Sequence, residues 1–225
     1  MKRIFTFLVL LAAFPLSARA DMIWSDAYKN PFSDWGAYMY DQNVKRHLRE
    51  GAVKGKSSTG QATNPSNPAT PAAPALPTAP ITATDFTRDP KGKDVVDQFI
   101  TAAKVAPAEG TQLATALRST MTQLGAAGRK DNVATVMTLL IGLSYGVIEK
   151  PGFDVARADD LVPMINNALA ASPQFTSLGA PDRQNMYDSM LLSAAVIAIV
   201  HQSGDKQASQ TIAKQTLQQL GLPSE

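Results

Sequence analysis

Between Asp89 and Leu220 the apolar residues recur at helical spacing and are interrupted at intervals by Gly, Pro and small polar residues. Val96, Phe99, Ile100 and Ala103 share one face of a helix predicted over about Lys93 to Val105. Pro107 suits the opening of a second helix, where its missing N–H costs nothing; Leu113, Leu117, Met121 and Leu124 form its stripe, and it stops at Gly125 to Gly128. A third helix spans about Asp131 to Glu149 and ends at Pro151-Gly152. The fourth, about Ala156 to Ala171, sets Leu161, Val162, Ile165, Ala168 and Leu169 in register. Pro163 falls inside it, so the helix either starts late enough to hold Pro163 in its first turn or is kinked there. A fifth helix runs from near Pro181 to His201, and a sixth from about Asp205 to Leu220, closed by Gly221 and Pro223.

No stretch alternates with period two, so the domain is read as all-α: a compact bundle of about six helices over 89–221. Two segments, Met137 to Ile148 and Met190 to Val200, are apolar almost all round and carry no charge. Each is too short for a membrane span and suits a central helix wrapped by neighbours. The third and fifth helices are therefore expected to form the core. Gly142 and Gly146, four residues apart, are expected to let a neighbouring helix approach closely, in preference to marking a membrane dimer.

Ahead of the bundle the pattern changes twice. Met1 to Ala20 reads as a signal peptide: Lys2 and Arg3, an apolar run from Ile4 to Phe14, and Ala18 and Ala20 as the small residues before the cut. That predicts export to a periplasmic or extracellular space, with no membrane-spanning segment in the mature chain. Residues 56–88 form a Pro/Ala-rich stretch in which prolines recur every third position from Pro65 to Pro80. With few large apolar residues, it is read as a disordered, extended linker.

Between signal and linker, residues 21–55 concentrate aromatic side chains: Trp24, Trp35, Tyr38 and Tyr40 among them. Packing of this partly helical segment on the bundle is one expectation and a partner- or glycan-facing arm a second; a membrane-surface helix is a third, because Lys45, Arg46, Arg49, Lys54 and Lys56 follow the aromatics.

Composition narrows the chemistry. Lys+Arg 21 against Asp+Glu 19 gives +2, but loss of Lys2, Arg3 and Arg19 leaves 18 against 19, so no electrostatic case for nucleic acid remains. The chain has no cysteine, which removes disulfides and thiolate catalysis. His47 and His201 are the only histidines, and neither stands in a metal-ligand spacing. No Walker loop, GxGxxG or GxSxG occurs, so no cofactor is expected and no catalytic residue is assigned. Within the helical part, Tyr187 and Asp188 are the best polar candidates for a binding site.

Trp24, the Asn30-Pro31 turn, Trp35 with Tyr38 and Tyr40, Leu113 to Leu117 with Arg118, and Pro181 to Tyr187 (PDRQNMY) together resemble an uncharacterised group of exported bacterial proteins. Its members carry a C-terminal helical domain of unknown function. The resemblance implies export and an all-helical domain, and no activity.

The expectation is thus a non-enzymatic exported protein whose helical domain binds a protein or a cell-envelope component. The competing expectation is a peptidoglycan-directed hydrolase whose carboxylates the fold assembles. A groove holding two carboxyls about 5–9 Å apart would favour the hydrolase, and a shallow apolar patch with no perturbed acids would favour binding.

Overall fold

The computed structural model describes residues 78–224. The signal-like stretch, the aromatic segment with Trp24, Trp35, Tyr38 and Tyr40, and most of the Pro-rich stretch lie outside the described residues. Within them the fold is all-α: seven α-helices and two short 3-10 helices, with no strand.

The helix starts follow from capping chemistry. Asp94 accepts hydrogen bonds from the amides of Val96 and Asp97 and opens α1 (Val95–Ala102). Pro107 stands first in α2 (Pro107–Gly125). Asn132 caps α3 (Val133–Val147) by accepting from the amide of Thr135. The predicted fourth helix is divided. Its first six residues form a 3-10 helix, Val155–Asp160, capped by Asp154, and α4 proper is Leu161–Ala171. Pro163 thereby falls in the first turn of α4, where it breaks no helical hydrogen bond. A single-turn helix, α5 (Pro173–Thr176), raises the number from six to seven; Ser172 caps it and Pro173 opens it. Then follow α6 (Ala180–Gln202) and α7 (Lys206–Gln219), the latter capped by Asp205.

The central position of α6 reflects its sequence. It packs most extensively on α3, α2 and α7, and α3 in turn meets α4, α7 and the second 3-10 helix. The two all-round apolar segments are the centre of the core: Met137 and Leu140 of α3 and Met190 and Ile197 of α6 are fully buried. Gly142 and Gly146 do permit a close approach, and the partner is the second 3-10 helix. A Cβ at position 142 would lie 2.9 Å from Ala158 Cβ, and one at 146 would lie 3.2 Å from Val155 Cγ2.

Past the end of α3 the chain turns through Glu149 at φ 53°, and the amide of Lys150 bonds back to the Tyr145 carbonyl at 3.0 Å. This is the helix stop that glycine usually makes. Replacing Glu149 by Gly should stabilise the protein by about 1 kcal/mol, the left-handed penalty of a residue with a Cβ. Chemical denaturation would show it, because the ion pair lost with Lys206 is solvent-exposed and contributes little.

One boundary differs from the compositional reading. Residues 78–88, assigned there to the disordered linker, are packed against the bundle, and Thr84 is fully buried. They form a strap that crosses α4, the N-terminus of α3 and the start of α6. Apolar content failed to signal this because polar contacts hold the strap.

Candidate functional site

Three buried amide side chains grip the strap. Asn166 on α4 accepts from the Thr84 hydroxyl at 2.9 Å and donates to the Pro80 carbonyl at 3.0 Å. Asn132 donates to the Ile81 carbonyl and to Asp85 while its own oxygen caps α3. Gln184 on α6 accepts from the amide of Asp89 at 2.6 Å and donates back to the Asp89 carbonyl at 3.3 Å. A single antiparallel bridge pairs Asp85 with Asn132, and the amide of Phe86 donates to the Asp131 carbonyl. Buried amides are costly unless paired. The bundle's most deeply placed Asn and Gln side chains thus have their partners on the strap and on Asp89, the residue that follows it.

Where the strap reaches α6, Arg88 ties three elements together. Its Nε donates to Asp131 at 2.7 Å, and its two terminal nitrogens donate to both oxygens of Asp188, at 3.1 and 2.8 Å. The guanidinium carbon also lies 5.2 Å from the Tyr187 ring centre and 5.7 Å from that of Phe86. Burial opposes the charge, but the two carboxylates outweigh it and the Arg88 pKa is raised. Phe86 and Tyr187 meet as a tilted ring pair with centres 5.4 Å apart. Tyr187 is buried, and burial pushes its phenol above the ordinary value despite the opposing pull of Arg88. It is therefore a neutral hydroxyl at physiological pH.

Beside this knot lies a groove with two unlike halves. Its mouth, about 530 Å³, carries the charges: Arg88, Arg118, Lys130, Asp131 and Asp188. Its inner chamber, about 340 Å³, is walled by aliphatic residues of α2, α3 and α6 and by the second 3-10 helix. Gly125, Gly128, Tyr187 and Leu191 line both halves and make them continuous. The Tyr187 hydroxyl lies beside Gly125 of α2; a Cβ there would meet that oxygen at an ordinary contact distance, 3.4 Å. Thr138 lines the chamber, and its hydroxyl is buried without a partner among the described residues.

The two sequence candidates are thereby placed. Tyr187 forms the wall between chamber and mouth, and Asp188 anchors the strap through Arg88. Arg88, Asp131, Asn132, Asn166 and Gln184 were not read as site residues. The available signal was an amide on an otherwise apolar helical face, clearest at Asn166 between Ile165 and Leu169. Among the described residues no cluster of three His, Cys, Asp or Glu side chains could hold a metal, and no helix is long and apolar enough to cross a membrane.

The polar contacts make the strap acid-sensitive. The hydrogen bonds from Arg129 hold the Asp85 carboxyl below its ordinary 3.8, aided by Asn132 and opposed by partial burial. Asp94 is also lowered, where contacts from Arg118 and the α1 amides outweigh burial. A carboxyl lowered by folding adds stability that is fully present above its unfolded value, about 3.9. That stability disappears as the pH falls through the folded value. Unfolding free energy should thus drop as the pH is taken below about 4. Asp85→Asn should show a shallower drop than the wild type in denaturant titrations across that range.

The chain belongs to a family of unknown function (DUF6683), whose model matches residues 1–222. No curated protein matches the chain, and no solved structure does.

Proposed function

We propose that this family member is a non-enzymatic exported protein whose helical domain binds an envelope component or protein, and that the two-part groove is where it binds. The observation that carries this reading is the pairing within the groove: Asp188 spends both carboxylate oxygens on Arg88, which also holds Asp131. Carboxylates bridged by a fixed guanidinium are poorly suited to glycosidic acid–base work, which needs one acid able to give up a proton and one base open to water. An aliphatic chamber opening beside a charged mouth suits recognition, where apolar contact supplies affinity and charge supplies orientation. Export rests on the signal pattern of Met1 to Ala20.

The mature protein, recovered from its native host with an intact mass beginning at Asp21, is the material for the test. Immobilised protein should retain an envelope component that the groove-filling variant Ala127→Phe does not retain. Ala127 lines the chamber but is exposed, so the larger ring can be accommodated without disturbing the core. Release of soluble fragments from purified peptidoglycan by the wild type would overturn the reading in favour of the hydrolase.

A further inference from the structure

We infer that the strap latches the groove: Phe86 and Arg88 pin the Tyr187 ring between chamber and mouth, and release of the strap lets the ring swing aside and joins the two halves. This rests on the proposal that the groove is a binding site and gives that site its regulation. Tyr187 is a bar that reaches from α6 to α2. Its side chain borders both halves of the groove, and its hydroxyl lies beside Gly125. Two strap side chains hold the same ring. Phe86 meets it with centres 5.4 Å apart, and the guanidinium carbon of Arg88 stands 5.2 Å from its centre. Arg88 is itself fixed, through both terminal nitrogens to Asp188 and through Nε to Asp131. Asp188 follows Tyr187 in the chain, so one guanidinium grips both the ring and the turn of α6 that carries it. The ring has no free volume on the strap side while these contacts stand, and Tyr187 is only 3% exposed.

The coupling runs in both directions. A molecule confined to one half of the groove leaves the latch intact. One that fills both halves must displace the ring, which breaks the Phe86 and Arg88 contacts and loosens the strap. A strap drawn off from outside vacates the space beside the ring and opens the groove. Phe86 and Arg88 sit at the end of the strap remote from residue 78, so loss of the Ala79 and Pro80 contacts alone leaves the ring pinned.

The chain has no cysteine, so a single introduced thiol reports only on its own surroundings. Thr138 lines the chamber, is 2% exposed and has a hydroxyl without a partner among the described residues, so Thr138→Cys forfeits no hydrogen bond. In the full mature chain, the reaction of that thiol with dithiodipyridine, an uncharged reagent, reads access to the chamber. Adding Phe86→Ala with Arg88→Ala should speed the reaction about tenfold, the factor expected when one aromatic pair and one cation–ring contact no longer hold the ring. Ile212→Val trims the core on α7, away from strap and groove, and lowers overall stability without touching the latch. It should leave the rate within about twofold, because local opening does not follow global stability. If the double variant does not fold, Phe86→Leu, which keeps an apolar side chain against the bundle but loses the ring, replaces it and should speed the reaction about threefold. Unchanged rates in the latch variants overturn the inference, as does an equal acceleration by Ile212→Val, since the thiol would then report general unfolding. The readout needs no ligand, so either result removes the latch and leaves the binding reading to the Ala127→Phe retention test.

Discussion

Replacing Asn132 by Ala is expected to lower the stability of the folded protein by about 3 kcal/mol, combining a lost N-cap worth about 1 with the desolvation cost of a strap carbonyl left without its donor. The side chain is fully buried and serves both structures at once: its oxygen receives the amide and hydroxyl of Thr135, and its nitrogen donates to Ile81 and Asp85. Thermal melts should shift down on the order of 10 °C for a domain of this size. Asn132→Asp separates the two roles. It keeps the cap but sets a second carboxylate where the amide nitrogen now lies 2.7 Å from Asp85. Two facing carboxylates raise the pKa of one of them above its unfolded value. The resulting penalty is complete at neutral pH and is relieved as the pH falls, so the gap between Asn132→Asp and Asn132→Ala should change with pH. A gap that stays constant from pH 7 to pH 4 would show that the side chain at position 132 does not face the Asp85 carboxylate.

The second large effect concerns the strap as a whole. A chain beginning at residue 78 and one beginning at residue 89 differ only in the strap, so comparing them removes any contribution of the aromatic segment. The shorter chain should melt lower, by more than Asn132→Ala does, because it removes the partners of Asn132 and Asn166 together. It also uncovers Tyr187, which loses Phe86 and Arg88. Limited proteolysis of the full chain gives an independent check: the resistant fragment should begin ahead of Ala79, whose amide bonds to Asn167 at 2.9 Å. Cleavage between Thr84 and Arg88 with an unchanged melting curve would show that the strap is not part of the cooperative unit.

The difference between what the sequence disclosed and what it hid is physical. Helices whose apolar stripes face a core were readable from periodicity, and Pro163 was readable because its fixed backbone restricts where a helix can start. The centrality of α3 and α6 followed from apolar residues on every side of Met137 to Ile148 and Met190 to Val200. The strap was hidden because main-chain hydrogen bonds leave no mark on the composition of the segment that makes them. Its clearest mark lies elsewhere, in the amide of Asn166 among the apolar residues of α4. The groove was hidden for a related reason. It depends on what is small (Gly125, Gly128 and Gly142) and on which charges neutralise one another, and neither is fixed until the helices are placed. Of the candidates named from sequence, the two within the described residues, Tyr187 and Asp188, border the groove, the first as its wall and the second as the carboxylate that holds Arg88.

The strap also has a mechanical meaning. If the residues ahead of position 78 are held by something large, any tension enters the domain at Ala79 and meets the contacts in chain order. Asn167 and Asn166 come first, then Asn132, Arg129 and Arg183, and finally Arg88 and Gln184. While these contacts hold, the chain that follows Asp89 is not itself drawn out, and the load passes to the helices only through the side chains that grip the strap. Each grip is a small set of hydrogen bonds, so under such a pull the strap would yield stepwise, before the core beneath it.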